Sequence, residues 1–384
     1  MHVLVLPSYY AVPENPQQGV FFREQAKALC RYGCKVGVLW YEAADLKRFS
    51  LSRFGDNHFQ IVETCRDGVI EMSMRGWSTH ISSDKGLALW VWLNKKLFRE
   101  YIRRHGRPDI IHAHVFFNAG YLAGKLYEEW GIPYVVTEHS SSVMEREFTV
   151  RERRMITEGA ASASVVIAVS RALASRLRPA VPGKRIEVLP NFIDTGFFDI
   201  PVLAEQRTGF RFFSLGYLIP RKGFSLLIDA FAAAFASDNS VELSIGGIGE
   251  QKSFLQDKID RYGLTGRIRL LGGLDREQVR YYMQNSDAFV LASRAETFGV
   301  VYAEAMACGK PVIATDCGPV RELFDERQGI VVPVDDKEAL KNAMLAFRKG
   351  TRLFDSQQIK AYTREKFGME HLSEKLVNIY KSAL

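Results

Sequence analysis

Three short stretches of the chain hold residues that could grip a phosphorylated ligand. The first is Gly216-Tyr217-Leu218-Ile219-Pro220-Arg221-Lys222-Gly223, which leaves a strand-like run and enters a helical pattern. Arg221 and Lys222 stand just before that helix, where cations oppose its macrodipole unless an anion offsets them. A diphosphate would offset them and accept free N–H groups; two solvated surface cations are the other reading, and these residues alone leave both open. The second stretch runs from Ser293 to Gly309 and carries Glu296 before a helical segment and Glu304 inside it. Gly299 at the start of that segment would let a ligand approach the backbone closely, with the amides of Phe298, Gly299 and Val300 directed at phosphate oxygens. Glu304 lies among Ala303, Ala305, Met306 and Ala307, where a carboxylate needs a partner; a diol such as ribose is one. Glu296 could accept hydrogen bonds from a sugar. For a lone pair of glutamates, a solvated helix face is the competing reading. The third stretch, Gly246-Gly247-Ile248-Gly249-Glu250, is a common kind of turn and fits a wall beside a nucleotide.

The elements that must position these residues alternate from end to end. Strand-like runs in the first half are His2–Pro7, Lys35–Tyr41, Asp109–Val115, Tyr134–Glu138, Ser164–Val169 and Arg185–Leu189. Helical patterns lie between most of them, such as Phe22, Ala26 and Leu29 at helical spacing. Two runs flanking Asp67-Gly68 within Val62 to Met74 read as a hairpin. A second series has strands at Phe210–Leu215, Val241–Ile245, Arg267–Leu271, Ala288–Ala292, Pro311–Thr315 and Gly329–Val334. Repeated βα units imply mostly parallel sheets covered by helices on both faces, so the fold class is α/β with two doubly wound domains. We place them at residues 1–195 and 205–360, with a helix over about 365–384 packing back on the first. In such sheets ligands gather beyond the carboxyl ends of the strands, where all three stretches fall.

Composition bounds the alternatives. The chain has 384 residues, 47% hydrophobic and 25% charged, which is globular. The net charge of +7 suits an anionic substrate, a membrane surface or nucleic acid, but no interleaved basic–aromatic stripe supports the last, and nucleic acid is not an expected partner. The apolar run at the N-terminus is short and lacks a basic flank, so it reads as a strand and not a signal peptide. No apolar stretch approaches the roughly 20 residues of a membrane span. A cytoplasmic protein is expected, with the inner face of the membrane open as a peripheral location. The five cysteines, Cys30, Cys34, Cys65, Cys308 and Cys317, fit no zinc spacing and are read as buried free thiols.

On these residues the chain resembles the family 4 glycosyltransferases, retaining enzymes of the GT-B fold. The most specific mark is the spacing of Glu296 and Glu304 within E-T-F-G-V-V-Y-A-E-A-M-A-C-G-K-P. Supporting marks are L-P-N-F-I-D-T at Leu189–Thr195, P-R-K-G at Pro220–Gly223, G-G-I-G-E at Gly246–Glu250, H-A-H at His112–His114 and T-E-H-S-S at Thr137–Ser141. The resemblance implies two Rossmann-like domains facing across a cleft: an acceptor-side N-terminal one and a C-terminal one for a nucleotide-sugar donor. It assigns Lys222 to the donor diphosphate, Glu296 to the transferred sugar and Glu304 to the ribose. His139 is similar to the histidine that meets the sugar from the N-terminal domain, and Gly19 to the glycine that brings backbone N–H groups to phosphate. The family carries Arg after the glycine matched by Gly216; here the residue is Tyr217, which leaves Arg221 to supply the second cation.

Breaking the anomeric bond puts positive charge on the sugar ring and negative charge on the leaving diphosphate. The chain contains no Asp-x-Asp pair for a metal, so no cofactor and no divalent ion is expected, and Lys222, Arg221 and helix N-termini must neutralise the leaving group. The expected product keeps its anomeric configuration. UDP is preferred over GDP, and the acceptor is a glycan or lipid-linked. The helix around Leu87 to Arg104 sets Trp90, Leu93 and Leu97 beside Lys95, Lys96, Arg99, Arg103 and Arg104. It could rest on anionic lipid, or it could be a domain helix with its apolar side in the core. A non-catalytic nucleotide-sugar-binding subunit is the alternative function.

Overall fold

The apolar runs condense into two sheets. The computed structural model describes every residue except 11–18, 45–58, 78–80, 82, 141, 146 and 205–207. Its first unit comprises Met1–Val169, Ala174–Pro190 and Leu372–Leu384; the second comprises Ser170–Leu173 and Asn191–His371.

In the first unit the strands are β1 (His2–Pro7), β2 (Lys35–Ala44), β3 (Ile61–Arg66), β4 (Val69–Trp77), β5 (Ile110–His114), β6 (Tyr134–Glu138), β7 (Val165–Ala168) and β8 (Ile186–Val188). They lie in the order β3-β4-β2-β1-β5-β6-β7-β8. All neighbours run parallel except β3 and β4, whose two-residue turn Asp67-Gly68 has φ of 54° and 82°, the conformation that tight hairpins use to match strand twist. β1, β5, β6 and β7 are almost wholly buried because helices cover both faces of a parallel sheet. The order reverses at β1, which pairs with β2 on one side and β5 on the other. The final helix, Met369–Ala383, buries Leu372, Leu376, Val377 and Tyr380, and Tyr380 reaches His112 of β5 at 2.6 Å.

In the second unit β9 (Phe210–Leu215), β10 (Val241–Gly246), β11 (Ile268–Gly272), β12 (Ala288–Leu291), β13 (Val312–Thr315) and β14 (Gly329–Val332) form an all-parallel sheet in the order β11-β10-β9-β12-β13-β14. The reversal falls between β9 and β12, so the loops after those two strands flank the crevice where doubly wound sheets bind ligands. Phe212, Phe213, Phe224, Phe231 and Phe235 fill the core beneath.

The helix carrying the basic residues spans Asp84–His105. It turns Trp90, Leu93 and Leu97 into the core. Lys95 and Arg99 pair with Glu129, and Arg103 and Arg104 pair with Glu100. The surface stripe of this helix is instead Lys85, Leu89, Trp92 and Lys96, with Leu89 47% and Trp92 56% exposed. No described helix is long and apolar enough to cross a membrane. The thiols are free, but only Cys308 and Cys317 are buried; Cys30 and Cys34 are half-buried and Cys65 is exposed, so the expectation of uniformly buried cysteines holds for two of five.

Candidate functional site

The second unit builds its site from three loops. After β9 the chain makes a single 3-10 turn, Pro220–Lys222, then reverses at Gly223 and enters the helix Phe224–Phe235. Gly223 has φ of 68°, and a Cβ there would lie 1.9 Å from the carbonyl oxygen of Ala292, so only glycine lets this loop sit on the end of β12. Arg294 N donates to the Arg221 carbonyl at 2.8 Å and fastens the same two loops. The third loop joins through backbone contacts: Leu218 N donates to the Ile248 carbonyl at 2.8 Å, and Gly247 packs on the carbonyl of Gly216.

This stitching brings Lys222 to Glu296. Lys222 Nζ donates to Glu296 Oε1 at 2.6 Å, with the side chains 13% and 8% exposed. The Ser293 hydroxyl donates to the same oxygen at 2.8 Å. Arg221 is half-buried, and Tyr217 is 51% exposed. Gly299, at φ 90°, caps the helix Val300–Ala307; the left-handed turn leaves first-turn N–H groups without intrahelical acceptors. Phe298 is buried against Phe367, so its backbone alone is available to a ligand. Tyr302, Ala303, Ala305, Met306 and Ala307 are buried, while Val300, Val301 and Glu304 share the partly open face. Glu304 therefore does not sit in the apolar interior that its neighbours in sequence suggest: the helix turns it to the partly open face with Val300 and Val301.

The first unit carries the histidines. His139 follows β6 directly and is 8% exposed. The period of two in β5 puts His112 and His114 on one face, their ring centroids 4.1 Å apart. His114 Nδ1 and His139 Nε2 share a hydrogen bond of 3.0 Å. His112 is held by Tyr380 and by Thr137 Oγ1 at 2.7 Å. Burial pushes the His112 imidazole down to about 3 and His114 well below its ordinary value, so both are neutral. Phe21 and Phe22 pack on His139 at 4.9 and 5.2 Å between centroids. Gly19 caps the helix Val20–Arg31 in the left-handed conformation.

Beneath His139 lies a residue that sequence reasoning passed over. Glu138 is 1% exposed, and its Oε1 accepts from the N–H groups of His139 at 2.9 Å and Ser140 at 2.6 Å. Its Oε2 accepts from Phe116 N at 3.1 Å. Burial outweighs those three donors and raises the carboxyl to about 7. The segment it clamps is unusual: Val115 and Asn118 have φ of 73° and 68°. Such backbone is costly for a β-branched residue and persists where neighbours hold it. The Ser8 hydroxyl, bonded to the carbonyls of His114 and Phe117, is the second clamp.

Two family descriptions match the chain: Glycosyl transferases group 1 over residues 198–366 and Glycosyltransferase Family 4 over residues 18–197. The chain is 26% identical to the TuaC protein of Bacillus subtilis, named for teichuronic acid biosynthesis, over 90% of this chain and 89% of that one. It is 30% identical to the phosphatidyl-myo-inositol mannosyltransferase of Mycolicibacterium smegmatis over 55% of each, so it spans little more than half of that relative. Among solved structures, Anabaena Alr3699/HepE in complex with UDP superimposes with a TM-score of 0.74 at 21% identity over the full length of both chains.

Proposed function

Because the chain belongs to the family 4-type glycosyltransferases, with the two Rossmann-like units of the GT-B fold, we propose that it is a retaining transferase acting on a nucleotide-diphosphate-sugar. UDP is the preferred nucleotide, with GDP the alternative; the UDP complex of a protein of the same fold supports that preference. The observation that carries the reading is Lys222 on Glu296 at the switch point of the second sheet. A cation and a carboxylate together there suit a ligand with an anionic half and a hydroxyl-rich half.

Lys222 and Arg221 neutralise the diphosphate, joined by the amides of Phe298, Gly299 and Val300. Gly216 and Gly247 form the wall beside the nucleotide, and Glu304 takes the ribose hydroxyls. Glu296 holds the transferred sugar. From the first unit, Gly19 offers backbone N–H groups and His139 meets the sugar. The bond from the anomeric carbon to phosphate oxygen breaks, the electron pair leaves with the diphosphate, and the acceptor oxygen bonds the same face of the carbon. The acceptor's proton passes to the departing phosphate oxygen. No divalent ion takes part. The acceptor is a glycan or lipid-linked molecule of polysaccharide or glycolipid biosynthesis; the names of the two relatives support that class. Trp92 and Leu89 with Lys85 and Lys96 supply a surface for an anionic membrane.

Exposed Tyr217, where an arginine would strengthen diphosphate binding, favours a second reading: a subunit that binds the nucleotide sugar without turning it over. A thermal-shift screen of nucleotide sugars followed by donor hydrolysis separates the two, since a bound donor raises the unfolding temperature in either case. Hydrolysis by the wild type that Glu296→Ala abolishes supports the transferase. Binding without hydrolysis supports the subunit. The product anomer, read by NMR, tests retention, and an inverted product would sink the mechanism.

A further inference from the structure

Lys222 and Ser293 end on the same carboxylate oxygen, and only one of them is free to leave it. We propose that Ser293 is a positioning residue that keeps Glu296 aimed while Lys222 transfers its ammonium from Glu296 to the incoming diphosphate. The inference rests on the donor reading just given and goes beyond it by naming what orients the carboxylate.

Glu296 is 6% exposed, and a buried carboxylate without donors is strongly disfavoured. Lys222 and Ser293 both meet that demand at Oε1, at 2.6 and 2.8 Å. A diphosphate carries more negative charge and more acceptor oxygens than one carboxylate, so it competes for the ammonium. Lysine can follow it, being a compact charge on a flexible stem, and the stem runs beside Gly216, where no side chain obstructs it; a Cβ built there lies 3.6 Å from Lys222 Cγ and Cδ.

Ser293 cannot follow. It has 0% exposure and stands just beyond β12. Its carbonyl accepts from the fully buried Thr315 hydroxyl, and the Tyr302 phenol donates to the Leu291 carbonyl at 3.1 Å two residues earlier. When Lys222 leaves, the Ser293 hydroxyl still fixes Oε1, and Oε2 remains for a sugar hydroxyl. Lys222 and Ser293 thus share the Glu296 carboxylate so that the cation is handed over without letting the carboxylate turn.

The test is a double-mutant cycle of Ser293→Ala and Glu296→Gln, with Ser293→Thr as the variant that keeps the hydroxyl. UDP, which lacks the sugar, is the binding probe. Hydrolysis of UDP-glucose, UDP-galactose, UDP-N-acetylglucosamine and GDP-mannose, using whichever is fastest, gives kcat and KM. Ser293→Ala should leave the UDP Kd within about twofold and lower kcat roughly tenfold or more. That loss should disappear in the Glu296→Gln background, because Ser293 acts through that carboxylate, and Ser293→Thr should recover most of it. An equal loss of kcat in both backgrounds, unchanged turnover, or UDP binding that falls in step with turnover would overturn the inference. A wild type that binds neither UDP nor any of the four sugars, or a Glu296→Gln variant with full turnover, would instead remove the donor reading itself.

Discussion

Replacing Glu138 by glutamine should destabilise the first unit in a pH-dependent way. The carboxyl accepts two backbone N–H groups at Oε1 and one at Oε2. An amide has a single oxygen, so if that oxygen serves His139 and Ser140, the NH2 faces the Phe116 N–H, donor against donor. A buried donor left unsatisfied costs about 1–3 kcal/mol. A neutral carboxylic acid avoids this, since its hydroxyl oxygen keeps a lone pair. Burial raises the Glu138 carboxyl from 4.5 to about 7, so the folded protein binds this proton more tightly than the unfolded chain. The stability the proton confers is fully present below the unfolded value and is lost as pH rises through the folded one, by at most about 1.4 kcal/mol per unit. The amide has no such slope. The penalty of Glu138→Gln is therefore about 1–3 kcal/mol near pH 5 and is cancelled or reversed above pH 7, where the wild type has lost a comparable amount. All five tryptophans, Trp40, Trp77, Trp90, Trp92 and Trp130, lie in the first unit, so urea denaturation followed by their fluorescence reads that unit selectively. An equal penalty at both pH values, or a larger one at pH 8, would refute the reasoning.

Other outcomes follow from the same geometry. Lys222→Ala should weaken UDP binding about tenfold or more, a loss of about 1.4 kcal/mol, by calorimetry; an unchanged Kd would place the diphosphate elsewhere. Turnover should survive EDTA, and restoration by added magnesium or manganese after chelation would contradict a leaving group stabilised by protein cations alone. Leu89→Ser with Trp92→Ser should abolish flotation with anionic liposomes and leave donor hydrolysis intact. Flotation that persists would assign any membrane contact to another surface.

The sequence was most informative where backbone pattern dictates the outcome. Runs such as Val3 to Leu6 and Val165 to Ala168 are short, apolar and rich in β-branched residues, which suits covered parallel strands, and Asp67-Gly68 can close a hairpin in only a few ways. Lys222, Glu296 and Gly299 stood out in the sequence by their places near helix starts, but their residue types left solvated surface groups as a competing reading, and their roles came from the family resemblance. What escaped was the support. Ser293 and Glu138 are ordinary polar residues at strand ends, and nothing local says that one will meet a carboxylate and the other three backbone amides. Tyr380 lies 268 residues from its partner His112, a separation that no periodicity spans. The amphipathic pattern of Asp84–His105 showed that the helix has an apolar side, but not that Leu89 and Trp92 would remain outside it; Trp90, Leu93 and Leu97 already fill the available core, and the helix has a second, smaller apolar stripe.

The return of the helix Met369–Ala383 to the first unit makes that unit a product of segments that lie on both sides of the second unit in the sequence. On the ribosome β1 to β8 emerge early, yet Leu372, Leu376, Val377 and Tyr380, which are buried in the finished unit, are translated after the entire second unit. Until then the His112 ring of the nascent sheet lacks its Tyr380 partner. A premature stop after His371 would spare every residue of the second unit and still damage the first, so nonsense mutations in the codons of this helix should produce insoluble rather than merely inactive protein.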